Sequence, residues 1–142
     1  MDQQRLAMET AVLNKYLTPN LFKFQELGTP NEHIVMAART NRKNIYRLYI
    51  KLSGFPLQKP EVYVAQTLKD KWGRPLPEFS AKMHTLGFWN EKKWTQICHY
   101  GAWNPDVAIY KIYIKCRLWL EMYELHLQTG KPIDYYLNHQ QM

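Results

Sequence analysis

Cysteine is nearly missing from this chain: among 142 residues only Cys98 and Cys116 carry a thiol. So sparse a supply excludes a disulfide-built scaffold and points to free thiols in a reducing cytoplasm. Glycine is scarce too, at six residues, and no phosphate-cradling Gly-rich loop is present. Cys-x-x-Cys, His-Glu-x-x-His and Gly-x-Ser-x-Gly are all absent, which removes the common dithiol, zinc-peptidase and serine-hydrolase signatures. No apolar run is long enough to span a bilayer, so a membrane is not an expected partner. The first residues, Met1-Asp2-Gln3-Gln4-Arg5, lack the basic-then-apolar layout of a secretory leader. Internal repeats and low-complexity segments are missing as well.

Acidic residues are few. Twelve Asp and Glu stand against 19 Lys and Arg, giving +7 with His neutral. That balance favours acidic partners. The basic residues are scattered, however, from Lys43, Arg47, Lys51 and Lys59 to Lys111 and Lys115, with no run of five. A solvated basic surface and a dedicated binding face are both open, and the scatter speaks against nucleic acid as the partner. What the chain has in plenty is aromatic side chains: five Trp, ten Tyr and five Phe. They predict a packed interior, and the length predicts one domain over residues 1–142.

Residues 3–17 predict a helix, with Leu6, Val12, Leu13, Tyr16 and Leu17 at helical spacing before Thr18-Pro19-Asn20. The period then changes. Phe22 and Phe24 alternate with polar residues; His33–Ala38 and Ile45–Leu52 read as strands, and Val62–Ala65 as a fourth. Their connections are too short for parallel crossovers, so they predict a four-stranded antiparallel meander. Residues 69–94 show no clear period and read as an ordered loop or a lid. A long helix is expected over 106–129, capped by Asn104, with Pro105 and Asp106 in its first turn. Its apolar face runs through Ile109, Ile112, Tyr113, Cys116, Leu120 and Tyr123. Thr129-Gly130-Lys131-Pro132 stops it, and 133–142 read as a short tail, aromatic and then polar. The fold class is therefore α+β.

The most telling stretch is Trp94-Thr95-Gln96-Ile97-Cys98-His99-Tyr100-Gly101-Ala102-Trp103-Asn104-Pro105. It follows Ile50-Lys51-Leu52, Phe55-Pro56 and Lys59-Pro60-Glu61-Val62, and it precedes the long helix. This order resembles the ubiquitin-conjugating enzyme superfamily: third strand, aromatic-Pro turn, proline pair, fourth strand, active-site cysteine at Ile97-Cys98, then Trp-x-Pro at Trp103-Asn104-Pro105. Trp119-Leu120-Glu121-Met122-Tyr123-Glu124 through Thr129-Gly130 is similar to a signature of prokaryotic members found in anti-phage (CBASS) operons beside a cGAS-like nucleotidyltransferase. The resemblance covers about residues 3–130. It implies a ubiquitin-conjugating-like fold and a ubiquitin-type acyl transferase with no metal and no cofactor. The donor would be the C-terminus of the cGAS-like nucleotidyltransferase, and the acceptor amine is unknown. An activating enzyme would lie outside this chain. Where the eukaryotic enzymes carry His-Pro-Asn, with the Asn eight residues before the cysteine, this chain has Phe88-Trp89-Asn90. Prokaryotic relatives place a His upstream, for which His84 is the nearest candidate.

Cys98 is thus the expected nucleophile, acting as the thiolate. Lys92, Lys93 and His99 are close in sequence and would favour the anion. Cys116, on the apolar helix face, is expected to be core. Asn90 is open to two readings, oxyanion donor or turn residue. His84 is a base or loop-orienting residue on one reading and a structural hydrogen-bonding His on the other. His99 adjoins the nucleophile, but chain neighbours often point apart. Tyr100 would wall the thioester channel, Trp103 would pack beneath the loop, and Asp106 serves either the incoming amine or the helix N-terminus. Two rivals remain: the same fold with an inactive site, serving as an adaptor, and a basic nucleic-acid-binding protein.

Overall fold

The computed structural model describes residues 1–89, 91–99 and 101–140, with 138–140 described by backbone alone. Helix α1 spans Gln3–Tyr16; the Asp2 carboxylate caps it by accepting the Arg5 backbone N–H at 2.7 Å. A short 3-10 turn at Pro19–Leu21 leads into strands β1 (Phe22–Gln25), β2 (His33–Arg39), β3 (Ile45–Lys51) and β4 (Val62–Val64), each antiparallel to the one before. The sheet does not stop there. Strands β5 (Phe79–Ser80), β6 (Thr85–Trp89) and β7 (Trp94–Ile97) extend it to seven strands in the order β1-β2-β3-β4-β7-β6-β5. The sheet is therefore wider than the four strands expected: within 69–94, residues 79–80, 85–89 and 94 are strand and the rest of the described residues are turn and loop. Strands of two to five residues, with a bulge between Thr85 and Gly87, carry too little alternation to be read from sequence.

The rest of that segment is anchored. The Asp70 carboxylate accepts N–H bonds from Trp72 and Arg74, both at 2.9 Å, and Leu76 is buried. Helix α2 spans Ile109–Thr129 and ends at Gly130, whose φ of 77° is the left-handed conformation that glycine tolerates. A third helix, α3, runs over Ile133–Gln140, where a tail was expected. Alternate residues of the central strands, Ile34, Met36, Leu48, Ile50 and Val62 among them, form one core with Ile109, Ile112, Cys116 and Leu120 of α2. Cys116 is fully buried, as its place on the helix face predicts. No helix among the described residues is long and apolar enough to cross a membrane.

The start of α2 differs from the expected one. Asn104 does not cap the helix; its side chain accepts the Asp106 N–H at 2.8 Å in a local turn, and the helix begins three residues later with no side-chain cap of its own from Ala108. Its orphan N–H is satisfied from another element. Glu9 of α1, 2 % exposed, accepts the Ile109 N–H at 2.7 Å and pairs with Arg5 at 2.8 Å. Arg5 in turn donates to the Val107 carbonyl at 3.0 Å. A buried carboxylate thus supplies the negative charge that a helix N-terminus favours.

Removing that carboxylate leaves a buried N–H and a half-buried guanidinium without their partner. Glu9→Ala is expected to lower stability by about 3 kcal/mol, read as a shift in the urea midpoint at unchanged slope. Glu9→Gln keeps an acceptor for Ile109 and is expected to lose less; equal losses for the two variants would show that the acceptor is unimportant.

Candidate active site

Strand β7 lies between β4 and β6, with Ile97 opposite Val62 on one side and Thr85 on the other. Cys98 is the first residue past it, and both flanks of the departing chain are tied down. On the β6 side the Cys98 N–H donates to the His84 carbonyl at 3.0 Å. On the β4 side the His99 ring bonds the Pro60 carbonyl through Nε2 at 2.8 Å. The thiol-bearing residue is partly exposed, in contrast to Cys116. Burial pushes the Cys116 thiol well above its ordinary range, and negative charge at Cys98 would push it further. Of the two cysteines, only Cys98 is exposed enough to react.

A cavity of about 310 Å³ opens beside it, lined by Cys98, His84 and His99 with Lys115, Trp119 and Leu137 among its walls. His84 precedes β6 with φ at 53°, a conformation uncommon for a side-chain-bearing residue. Two contacts hold it there. Trp119 Nε1 on α2 donates to the Met83 carbonyl at 3.2 Å, and His84 Nε2 lies 2.9 Å from Asp134 Oδ1. The backbone N–H of Asp134 donates to the Lys82 carbonyl at 2.8 Å, docking the start of α3 on the β5–β6 turn. A carboxylate only accepts, so with Asp134 ionised His84 Nε2 carries the proton; in the neutral ring Nδ1 then holds the lone pair. The structure therefore brings a thiol and a carboxylate-oriented imidazole to one cavity.

Sequence reasoning named Cys98 and His84 but not Asp134 or Lys115. A signal for α3 was present: Pro132-Ile133-Asp134 after Gly130 is a stop followed by a fresh helix start with an acid in its first turn. Lys92 and Lys93 do not serve Cys98. They sit at the β6–β7 turn, the length of β7 away, roughly 13 Å at the usual strand rise, and their ammonium groups lie over the rings of Trp94 and Phe88. Lys115 is the lysine at the cavity. Asn90 and Tyr100 lie outside the described residues. Trp103 packs 6.2 Å from Phe55 and donates to the Pro56 carbonyl at 2.8 Å, while Asp106 is exposed. Among the described residues no group of three His, Cys, Asp or Glu is placed to hold a metal ion.

Comparison with protein-family models, with curated proteins and with solved structures finds no match to this chain.

His99 has the strongest electrostatic signature of the site. Burial, with help from Lys59 and Lys115, pulls its pKa down to about 4 although the Pro60 bond opposes the change. In the unfolded chain the ring titrates near 6.5. Between those values the unfolded state binds the extra proton, so His99 leaves stability intact above about pH 6.5 and erodes it as pH falls toward 4. From pH 7 to pH 5 the loss is expected to be on the order of 2 kcal/mol. His99→Gln should flatten that part of the urea-midpoint profile; an unchanged slope would assign the pH dependence to other groups.

Proposed function

We propose that this chain is a cysteine-dependent acyl-transfer enzyme of the ubiquitin-conjugating type. One observation carries the reading: Cys98, just past β7, and His84, just before β6, line one cavity, and Asp134 holds the His84 ring at 2.9 Å. A partly exposed thiol next to an oriented imidazole is the arrangement nucleophilic catalysis requires. The resemblance of the Cys98 and Trp119–Gly130 segments to prokaryotic ubiquitin-conjugating-like proteins gives the direction of the chemistry. The helix, antiparallel strands, cysteine and long helix follow one another in the order that fold would require.

The cycle has two transfers. Cys98 loses its proton to His84 Nδ1, and the sulfur attacks the activated C-terminal carboxyl of the donor. A C–S bond forms and the activating group leaves with its electron pair. An acceptor amine then attacks the thioester carbonyl; the C–S bond breaks, the sulfur departs as thiolate, and the amine proton passes to a base. Asp134 fixes the tautomer that makes His84 a proton acceptor. The donor proposed from the resemblance is a cGAS-like nucleotidyltransferase, activated by a separate enzyme, in anti-phage defence.

Co-expression of Cys98→Ser with such a nucleotidyltransferase and its activating enzyme is expected to trap an ester to the donor C-terminus. Intact mass would show it, hydroxylamine would remove it, and Cys98→Ala would abolish it. Co-purification of the two proteins with no adduct in any variant would replace the enzyme reading with an adaptor. His84→Gln is expected to slow thioester formation about a hundredfold while leaving Cys98 alkylable. Asp134→Asn, which can donate to the ring and reverse its tautomer, should also slow it; wild-type rates in both would remove the imidazole from the mechanism.

A further inference from the structure

The sheet has a second face, turned away from the core, and its composition is distinctive. Every other strand residue points there, among them Lys23 on β1, Val35, Ala37 and Arg39 on β2, Arg47, Tyr49 and Lys51 on β3, Tyr63 on β4, Trp94 on β7 and Trp89 on β6. The aromatic rings form one connected cluster. Tyr49 stacks on His33 at 4.1 Å and lies 5.0 Å from Trp89 and 5.9 Å from Trp94; Tyr63 meets Trp89 at 5.2 Å. Beside it runs an open groove of about 530 Å³ whose floor is Val35, Ala37 and Ala65 and whose walls include Tyr49 and Trp94. Lys23 and Arg47 border this groove, and Arg39 lies diagonally across the β2–β3 ladder from Arg47. All three are exposed, and none enters an ion pair among the described residues.

Ring packing alone would explain a cluster that shields an open sheet. It does not explain small residues left as a floor between an aromatic wall and unpaired cations. The acids of this region are engaged away from the groove: Glu61 accepts from Tyr63 at 2.6 Å and pairs with Lys51 at 3.7 Å, Glu32 accepts the Gly28 N–H at 3.2 Å, and Glu26 lies 3.9 Å from His33 Nδ1, at the Tyr49 end of the cluster. The groove end of the face is therefore both aromatic and positive.

We propose that this outer face binds single-stranded nucleic acid, stacking bases on Tyr49 and Trp94 with the backbone phosphates at Lys23, Arg39 and Arg47. Unpaired bases expose the flat surfaces that half-buried rings can stack on, and a positive border tracks the backbone; a duplex hides those surfaces. The cations are scattered along the sequence, and only the pleat gathers them. The site is separate from Cys98 and does not rest on the acyl-transfer reading.

The test is fluorescence anisotropy of the full chain with labelled 20-nucleotide single strands, oligo-dT and oligo-U, and with a duplex of the same length. Single strands are expected to bind at least tenfold more tightly than the duplex and to quench tryptophan fluorescence. With three phosphate contacts, affinity should fall roughly twentyfold between 50 and 200 mM salt. Arg47→Glu should weaken binding at least tenfold. Lys111→Glu, the same charge change on the exposed side of α2, should weaken it less than twofold, and Cys98→Ala should not alter it. Trp94→Leu, checked for folding by circular dichroism, should lose the single-strand preference. Preference for either sugar supports the proposal and names its source. Absence of binding at 50 mM salt, equal affinity for the duplex, or an equal loss in Arg47→Glu and Lys111→Glu would overturn it.

Discussion

A buried carboxylate on the first helix determines where the last long helix can begin. Helix α2 has no cap of its own, and its first N–H is answered from Glu9, about a hundred residues earlier in the chain. Arg5 neutralises that carboxylate and reaches the Val107 carbonyl, so α1 and the approach to α2 close on one ion pair. Charges so far from water persist only when each has a partner, which makes the arrangement specific as well as stabilising. With the N-terminus of α2 fixed, the phase of every later residue on that helix is fixed too.

That phase is put to use at three places. Trp119 bonds the Met83 carbonyl, next to His84; Tyr123 bonds the Lys69 carbonyl at 2.6 Å; Glu124 accepts from Tyr46 and Asn44, both at 2.8 Å. Residues that read in sequence as a signature are polar anchors here. One faces the turn before β6, one the segment after β4, one the turn between β2 and β3. Burial and the Glu124 carboxylate both raise the Tyr46 phenol far above its ordinary range, so it remains a donor at any working pH. The Trp119 anchor bears on the cavity beside Cys98, since α2 provides one wall and the other is formed by His84 before β6, by Cys98 and His99 after β7, and by Leu137 of α3.

Much of this was legible without coordinates. The helix at the start, the first four strands and the core thiol of Cys116 follow from period and from apolar spacing. The remainder was hidden for identifiable reasons. β5 and β6 are short and bulged, and Gly87 at φ 152° takes a backbone conformation that breaks the alternation of the strand. Asn104-Pro105-Asp106 has the residue types of a helix start, but a side chain from a distant element decided the boundary. Asp134 was invisible as a site residue because its partnership with His84 spans fifty positions of sequence. The outer face was illegible for a similar reason: alternate residues on different strands become neighbours only after pairing.

The two margins of the sheet have a consequence of their own. β5 is two residues long, preceded closely by Pro77, and β1 at the opposite margin is four residues long with an exposed lysine. Neither offers a long, flat row of unpaired backbone groups on which another strand could template itself. A seven-stranded sheet with an uncovered aromatic face would otherwise be an obvious seed for edge-to-edge polymerisation. Here the chain confines its stickiness to a surface and denies it to the rims, so contact with other molecules is channelled through side chains rather than through the backbone.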